Sequence, residues 1–284
     1  MVYTKASVTT PVTLTAKFES ATKFRYANLS LNGKIGLNVA VRISNEVFKN
    51  ASTKGLAMID GETINLTDYV KNSDSTYVYT LLFAPKDFDK QATFKVVSDN
   101  KTIVEKSLSM SDYINDVIEN PEVYEDVYSI VVALKDYCNA AKLYFGDEKV
   151  EEYDLNLSEK LSDYGNINLK KGKTALVAYS LMLEDCIKIR IYYRGNGSEQ
   201  CKVNGKPVQS VAICGSGGRY IEIDNIAASD LGKKYSVAIG DTSLSLSVFD
   251  YIKQATAMET DSNLINMLKT LVLYGERAKA YLGG

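Results

Sequence analysis

The stretch Ser107-Leu108-Ser109-Met110-Ser111-Asp112-Tyr113-Ile114 returns later in the chain as Ser245-Leu246-Ser247-Val248-Phe249-Asp250-Tyr251-Ile252, with six of the eight positions identical. In each, a serine and leucine strand runs into Ser-x-x-Asp, the pattern in which a side-chain oxygen satisfies an orphan backbone N–H at a helix start. A junction between strand and helix is therefore copied. A copied junction implies a copied fold unit, and the rest of the chain reads outward from it.

Downstream, a second helix repeats. Val127, Ile130, Val131, Leu134, Tyr137, Cys138, Ala141, Tyr144 and Phe145 match Leu264, Met267, Leu268, Leu271, Tyr274, Gly275, Ala278, Tyr281 and Leu282. The spacing i, i+3, i+4, i+7 is that of one apolar helix face, so Tyr137, Tyr144, Tyr274 and Tyr281 are expected in the core. Each copy reaches a glycine, Gly146 and Gly283, the residue best suited to the left-handed conformation past a helix end. Pro121 separates the two helices of the first copy, giving a helical hairpin.

Upstream, alternating apolar residues (Leu29, Leu31, then Ile35, Leu37, Val39, Val41) correspond to Leu181, Leu183, then Ile187, Ile189, Ile191, Tyr193. Period two predicts half-buried strands. The separation between copies falls steadily, from 152 residues (Leu29 to Leu181) to 143 (Ala84 to Ala227), 138 (Leu108 to Leu246) and 137 (Tyr137 to Tyr274). The second copy is thus the same module with shorter loops. Strands are predicted near 11–19, 23–31, 34–43, 55–66, 76–83, 92–98 and 102–108, and near 173–183, 186–193, 199–203, 207–214, 219–224, 234–239 and 242–247.

Turn signals at Asn32-Gly33, Asp60-Gly61, Gly195-Asn196-Gly197 and Asn204-Gly205 divide these strands. No helical crossover is available between them, so the pairing is antiparallel. The expected class is α+β: two tandem antiparallel β-sandwich-like modules, each ending in a helical hairpin. Residues 1–21 form an N-terminal segment with a first strand, 22–147 the first repeat, 148–166 an acidic, apolar-poor linker and 167–284 the second repeat.

Composition limits the chemistry. The chain holds no histidine and no tryptophan, 20 tyrosines and four cysteines, Cys138, Cys186, Cys201 and Cys214. Without imidazole, Ser/His/Asp and Cys/His nucleophiles are excluded. The cysteines lack zinc spacing and read as buried apolar residues. With 33 basic and 35 acidic residues there is no basic field for nucleic acid, and no apolar run is long enough to cross a bilayer. No metal and no cofactor is expected.

The local motifs weaken on inspection. Gly172-Lys173-Thr174 resembles the end of a phosphate loop, but Ile167 stands where that loop needs glycine. Cys214-Gly215-Ser216-Gly217-Gly218 precedes a strand, not a helix, and reads as a hairpin turn. Asn72-Ser73-Asp74-Ser75 lacks EF-hand spacing. The acid pairs Glu151/Glu152 and Asp87/Asp89 fit a glycoside hydrolase only when two carboxyls face across a cleft. Tyrosine on strands offers stacking area, so Tyr77, Tyr79, Tyr192 and Arg194 are the candidate binding residues, with sugar or protein as ligand.

The helix Leu134 to Gly146 and its copy Leu271 to Gly283 resemble an uncharacterised module of large secreted or surface proteins of gut Clostridia, in which a β domain ends in a "DY" helix and an "L-x-x-Y-G-x-A-x-x-Y" helix. Cys138 departs from the glycine of that pattern and Gly275 keeps it. The resemblance implies a location outside the cell or at its surface, with a signal peptide and neighbouring domains removed ahead of Met1, and it carries no catalytic residues over; from the missing catalytic residue types no enzyme is expected. The expected function is a non-catalytic structural or adhesive segment binding protein or glycan. A carboxylate-dependent polysaccharide hydrolase and an intracellular scaffold are the alternatives.

Overall fold

A computed structural model describes residues 22–30, 35–72, 75–183, 186–214 and 217–283. The predicted strand at 11–19 lies outside them. Module 1 contains β1 (Lys23–Ser30), β2 (Gly36–Arg42), α1 (Asn45–Lys49), β3 (Lys54–Ile59), β4 (Glu62–Leu66), β5 (Tyr69–Lys71), β6 (Thr76–Leu82), β7 (Ala92–Ser98), β8 (Lys101–Leu108), α2 (Met110–Glu119) and α3 (Glu125–Phe145). A short α4 (Leu157–Lys160) follows. Module 2 contains β9 (Asn168–Lys170), β10 (Ala175–Leu183), β11 (Ile187–Arg194), β12 (Cys201–Val203), β13 (Lys206–Pro207), β14 (Val211–Ala212), β15 (Gly218–Ile226), β16 (Tyr235–Ile239), β17 (Thr242–Leu246), α5 (Val248–Met258) and α6 (Ser262–Gly283).

The duplication extends to the strand order. Module 1 has sheets β1-β2-β6-β5 and β4-β3-β7-β8; module 2 has β10-β11-β15-β14 and β13-β12-β16-β17, with β9 added at the edge beside β17. All pairs are antiparallel, as hairpin connections require. Leu37, Val39, Val41 and Leu81 from one sheet bury against Ala57, Phe94 and Val96 from the other, giving a sandwich core. The fold is α+β and sandwich-like, as the sequence pattern predicts.

Two predicted strands are in fact two strands each. Residues 55–66 form the hairpin β3–β4, because Asp60 and Gly61 both take positive φ (52° and 82°) in a two-residue turn. Residues 207–214 divide into β13 and β14, which belong to different sheets. The chain crosses between sheets at the same place in each module, from β4 to β5 and from β13 to β14.

Both copied helix starts are capped by serine: Ser109 Oγ accepts from Asp112 N (3.0 Å) and Ser247 Oγ from Asp250 N (3.1 Å). The end of α3 differs from expectation by one residue. Gly146 has φ −91°, and the left-handed residue is Asp147 (φ 56°), whose neighbour Glu148 donates its N–H to Leu143 O at 2.8 Å. Aspartate tolerates that conformation because its short polar side chain bonds locally.

Where the modules meet, equivalent residues meet. Tyr137 of α3 and Tyr274 of α6 stack with ring centroids 6.1 Å apart and planes 11° from parallel. Both are buried, as are the equivalent Ala133 and Thr270 one turn away. Contact between identical positions is the signature of a two-fold interface, here formed within one chain. Tyr144 is half-buried and Tyr281 is 40% exposed, so the helix ends leave the core.

The stretch 148–166 is bonded down across this seam. Tyr153 donates its hydroxyl to Asp136 of α3 (2.9 Å), while Lys269 of α6 donates to Tyr153 O (2.7 Å). Val150, Leu157 and Leu161 are buried, and Lys253 of α5 donates to Leu161 O and Ser162 O. Sequence composition reads this stretch as a linker, because its few apolar residues are too sparse to show periodicity. Those few are the ones that anchor it.

Candidate functional site

The side chains proposed from sequence fall into two groups. Tyr77 and Tyr79 alternate inward on β6 and are 0% and 3% exposed, so neither ring offers a surface to a ligand. Their spacing correctly puts them on one face, but that face is the core. Tyr79 packs flat on β3, where a Cβ on Gly55 would lie 2.8 Å from its ring. Burial, with Tyr69 and Tyr77 nearby, pushes its hydroxyl up to about 12.

What these rings do is hold up Tyr69. Phe48 of α1 stacks on Tyr77 (4.1 Å), and Tyr69 meets Phe48, Tyr77 and Tyr79 at 5.5 to 5.7 Å. Lys71 Nζ lies 5.5 Å from the Tyr77 ring centroid and 5.9 Å from that of Phe48. Tyr69 itself is 44% exposed, beside Ile64 at 47% and Val70 at 64%. Single exposed apolar residues are ordinary, whereas three converging on one groove are not.

That groove, of about 550 Å³, lies where β4 leaves one sheet and β5 joins the other. Ile59, Ile64, Leu66, Val70, Val78 and Leu82 line it together with Asp68. Past Ile59, Ile64 and Leu82 it continues into a second depression of about 370 Å³ bordered by Asp60, Glu62, Asp87 and Lys90. Lys90 is held by Asp60 (2.5 Å) and Asp87 (3.0 Å), whose hydrogen bonds raise its pKa. The size suits a small ligand or a few side chains of a peptide. Tyr69 and Ile64 sit on short edge strands with little periodicity, so sequence reasoning missed them. Their one signal was position, in the stretch 44–76, where the two copies share strand order but no matching sequence.

On module 2, Tyr192 and Tyr220 pair across β11 and β15 on the outer sheet face, ring centroids 6.0 Å apart. Arg190 lies 4.4 Å over the Tyr220 ring and donates Nε and Nη2 to Glu222 Oε1 at 2.9 and 2.5 Å, which fixes the guanidinium flat. Arg194 is exposed at the end of β11, opposite Gly218. Tyr193, one residue away, is fully buried and hydrogen-bonds Ser210 at 2.5 Å.

The remaining motifs are occupied by the protein itself. The backbone N–H groups of Lys173 and Thr174 donate to the Asp241 carboxylate at 2.8 and 3.2 Å, so an internal anion fills the place of a phosphate. Asp87 pairs with Lys90 and Asp89 with Lys142. Glu151 and Glu152 are exposed on the anchored stretch beside α6. Ile213 N donates to Gly218 O at 2.9 Å between β14 and β15, and the Gly215 and Ser216 of that motif lie outside the described residues. Asn72 to Ser75 lies partly outside the described residues. Cys138, Cys186 and Cys201 are buried, as expected; Cys214, just after β14, is exposed. Burial pushes the Cys138 thiol up, away from nucleophilic use. Among the described residues no group of three or more metal-ligating side chains converges, and no helix is long and apolar enough to cross a membrane.

Fold and surface together define a class: a duplicated α+β sandwich protein with an apolar groove on one copy and an aromatic sheet face on the other. No known family model matches the chain, and no curated protein is similar to it.

Proposed function

We propose that this chain is a non-catalytic binding segment of a secreted or cell-surface protein, with the ligand site in the module 1 groove. Module 2 and the paired helices α3 and α6 give that site a rigid mount. The observation that supports it is that, with the shared core retained, Ile64, Tyr69 and Val70 of module 1 are left exposed around a formed groove. The acid pairs that hydrolysis would need are either bonded to lysines or lie side by side on one surface stretch.

A second reading, glycan stacking on module 2, is favoured by Tyr192 and Tyr220 lying together under a fixed Arg190. Glycan arrays and panels of extracellular proteins, probed with the full chain, Ile64→Glu and Tyr192→Ala, separate the two. Binding lost in Ile64→Glu and kept in Tyr192→Ala is the expected result. The reverse pattern moves the site to module 2. Binding indifferent to both substitutions overturns each placement.

A further inference from the structure

The two copies treat the same sheet edge in opposite ways. In module 2 the edge strand β13 is two residues long, Lys206 and Pro207. Proline has no N–H to offer another strand and lysine resists one, two common guards of a sheet edge. In module 1 the edge strand β4 has five residues, Glu62 to Leu66, with neither lysine nor proline and no register shift against β3.

Hairpin parity says which groups β4 leaves open. The two-residue turn at Asp60-Gly61 makes Ile59 and Glu62 the closing hydrogen-bonded pair, so Glu62, Ile64 and Leu66 direct their backbone groups to β3. Thr63 and Asn65 direct theirs away from the sheet. Among the described residues no strand pairs with that side. Ile64 stands opposite the buried Ala57, so the inward face of β4 opens into the groove. The lining is acidic on balance: Asp60, Glu62, Asp87 and Asp68 stand against the one lysine Lys90, which is shared between Asp60 and Asp87.

Resting on the binding reading above, we infer that β4 takes an extended segment of another protein as an added strand. Its inward side chains are apolar and enter the groove against Ile64, Val70 and Leu82. Its flanks are lysine or arginine, which meet the acidic lining. Strand addition draws affinity from the main chain and specificity from alternate side chains in pockets. A second copy of this chain is a poor occupant, because two acidic linings would face each other.

The test titrates the full chain with a synthetic heptapeptide of alternating valine and threonine between terminal lysines, followed by backbone amide NMR. Shifts centred on Thr63 and Asn65 are expected, with a monomeric chain and at least tenfold weaker binding when glutamates replace the lysines. Asn65→Pro removes an outward N–H and is expected to abolish the shifts. Glu62→Lys, an exposed charge reversal that leaves the sheet intact, is expected to invert the flank preference. Peptide binding unaffected by both substitutions, shifts elsewhere, no binding at millimolar peptide, or dimerisation through β4 would overturn the inference. If a ligand from the arrays still depends on Ile64 while the peptide leaves β4 unmoved, strand addition fails and the binding reading stands. If no ligand depends on Ile64, both fail.

Discussion

Asp112 and Asp250 occupy the same place in the two modules, the third position of the helix after the last strand, and their surroundings share almost nothing. Asp112 is exposed and accepts one hydrogen bond from Gln91 at 3.2 Å. Asp250 is fully buried; it accepts from Ser247 N (2.7 Å), Ser247 Oγ (2.6 Å) and Gly165 N (2.8 Å), and pairs with Lys234 (2.6 Å). Burial alone would raise its pKa, but the bonds from Lys234, Ser247 and Gly165 outweigh it and hold the carboxyl below its ordinary value. Module 2 has drawn the residues before it onto its helix start. A single copied aspartate has closed a capping box and become a hub in one module, and has remained an exposed acid of the first helical turn in the other.

The widest expected gap between the copies is at this pair. Asp250→Ala removes the acceptor of Ser247 N, Ser247 Oγ and Gly165 N and the ion pair of Lys234, and should cost about 3 kcal/mol. Asp112→Ala removes one exposed acid from a first helical turn and should cost about 0.5 kcal/mol. Urea unfolding of both variants checks this, and equal losses would break the comparison. Acid sharpens it. Because the folded pKa is lowered, the Asp250 contribution is present above the unfolded pKa of about 4 and is lost as pH falls through the folded value. The stability gap between the wild type and Asp250→Asn should therefore hold from pH 7 to about 5 and close below about 4.

The next gap lies on the long helices. At Gly275 an added Cβ would meet Leu231 Cδ1 at 2.6 Å and Ala228 O at 3.1 Å, so α6 rests directly on the turn at Ala228–Asp230. Gly275→Cys, which imports the module 1 residue, should cost about 2 kcal/mol by overpacking, read as a lower melting midpoint. Cys138 is fully buried at the equivalent position of α3. Cys138→Ala should cost about 1 kcal/mol through the small space it leaves. A Gly275→Cys variant as stable as the wild type would mean that the two helices tolerate the same residue after all.

The smallest effect is expected where the copies touch. The Tyr137 hydroxyl is buried without a hydrogen-bond partner, so Tyr137→Phe removes an unpaid desolvation and should be neutral or stabilising by about 0.5 kcal/mol. Calorimetry checks it. A loss of more than about 1 kcal/mol would reveal a polar contact across the Tyr137–Tyr274 stack.

Much of the fold was legible in the chain because its signals are short-range. Ser109 and Ser247 announce helix starts, Asp60-Gly61 a hairpin turn, and the alternation at Leu37, Val39 and Val41 a strand with one buried face. The site was barely legible. β5 and β14 are too short for periodicity, and the stretch 148–166 hides three buried apolar residues among acids.

Sequence by itself determined the caps, the long strands and the helix that follows each last strand, since each depends on residues a few positions apart, and it showed the duplication. It also determined which face Tyr77 shares with Tyr79, though not whether that face meets water. Only the tertiary structure decided that those rings are core and Tyr69 is surface, and that α3 and α6 meet at equivalent tyrosines. It also decided that among the described residues β4 carries no outer partner strand while β13 is only Lys206 and Pro207, and that Asp250 is buried where Asp112 is not. Burial belongs to what packs over a residue, and those partners lie dozens of positions away, as Gly165 lies from Asp250 and Tyr137 from Tyr274.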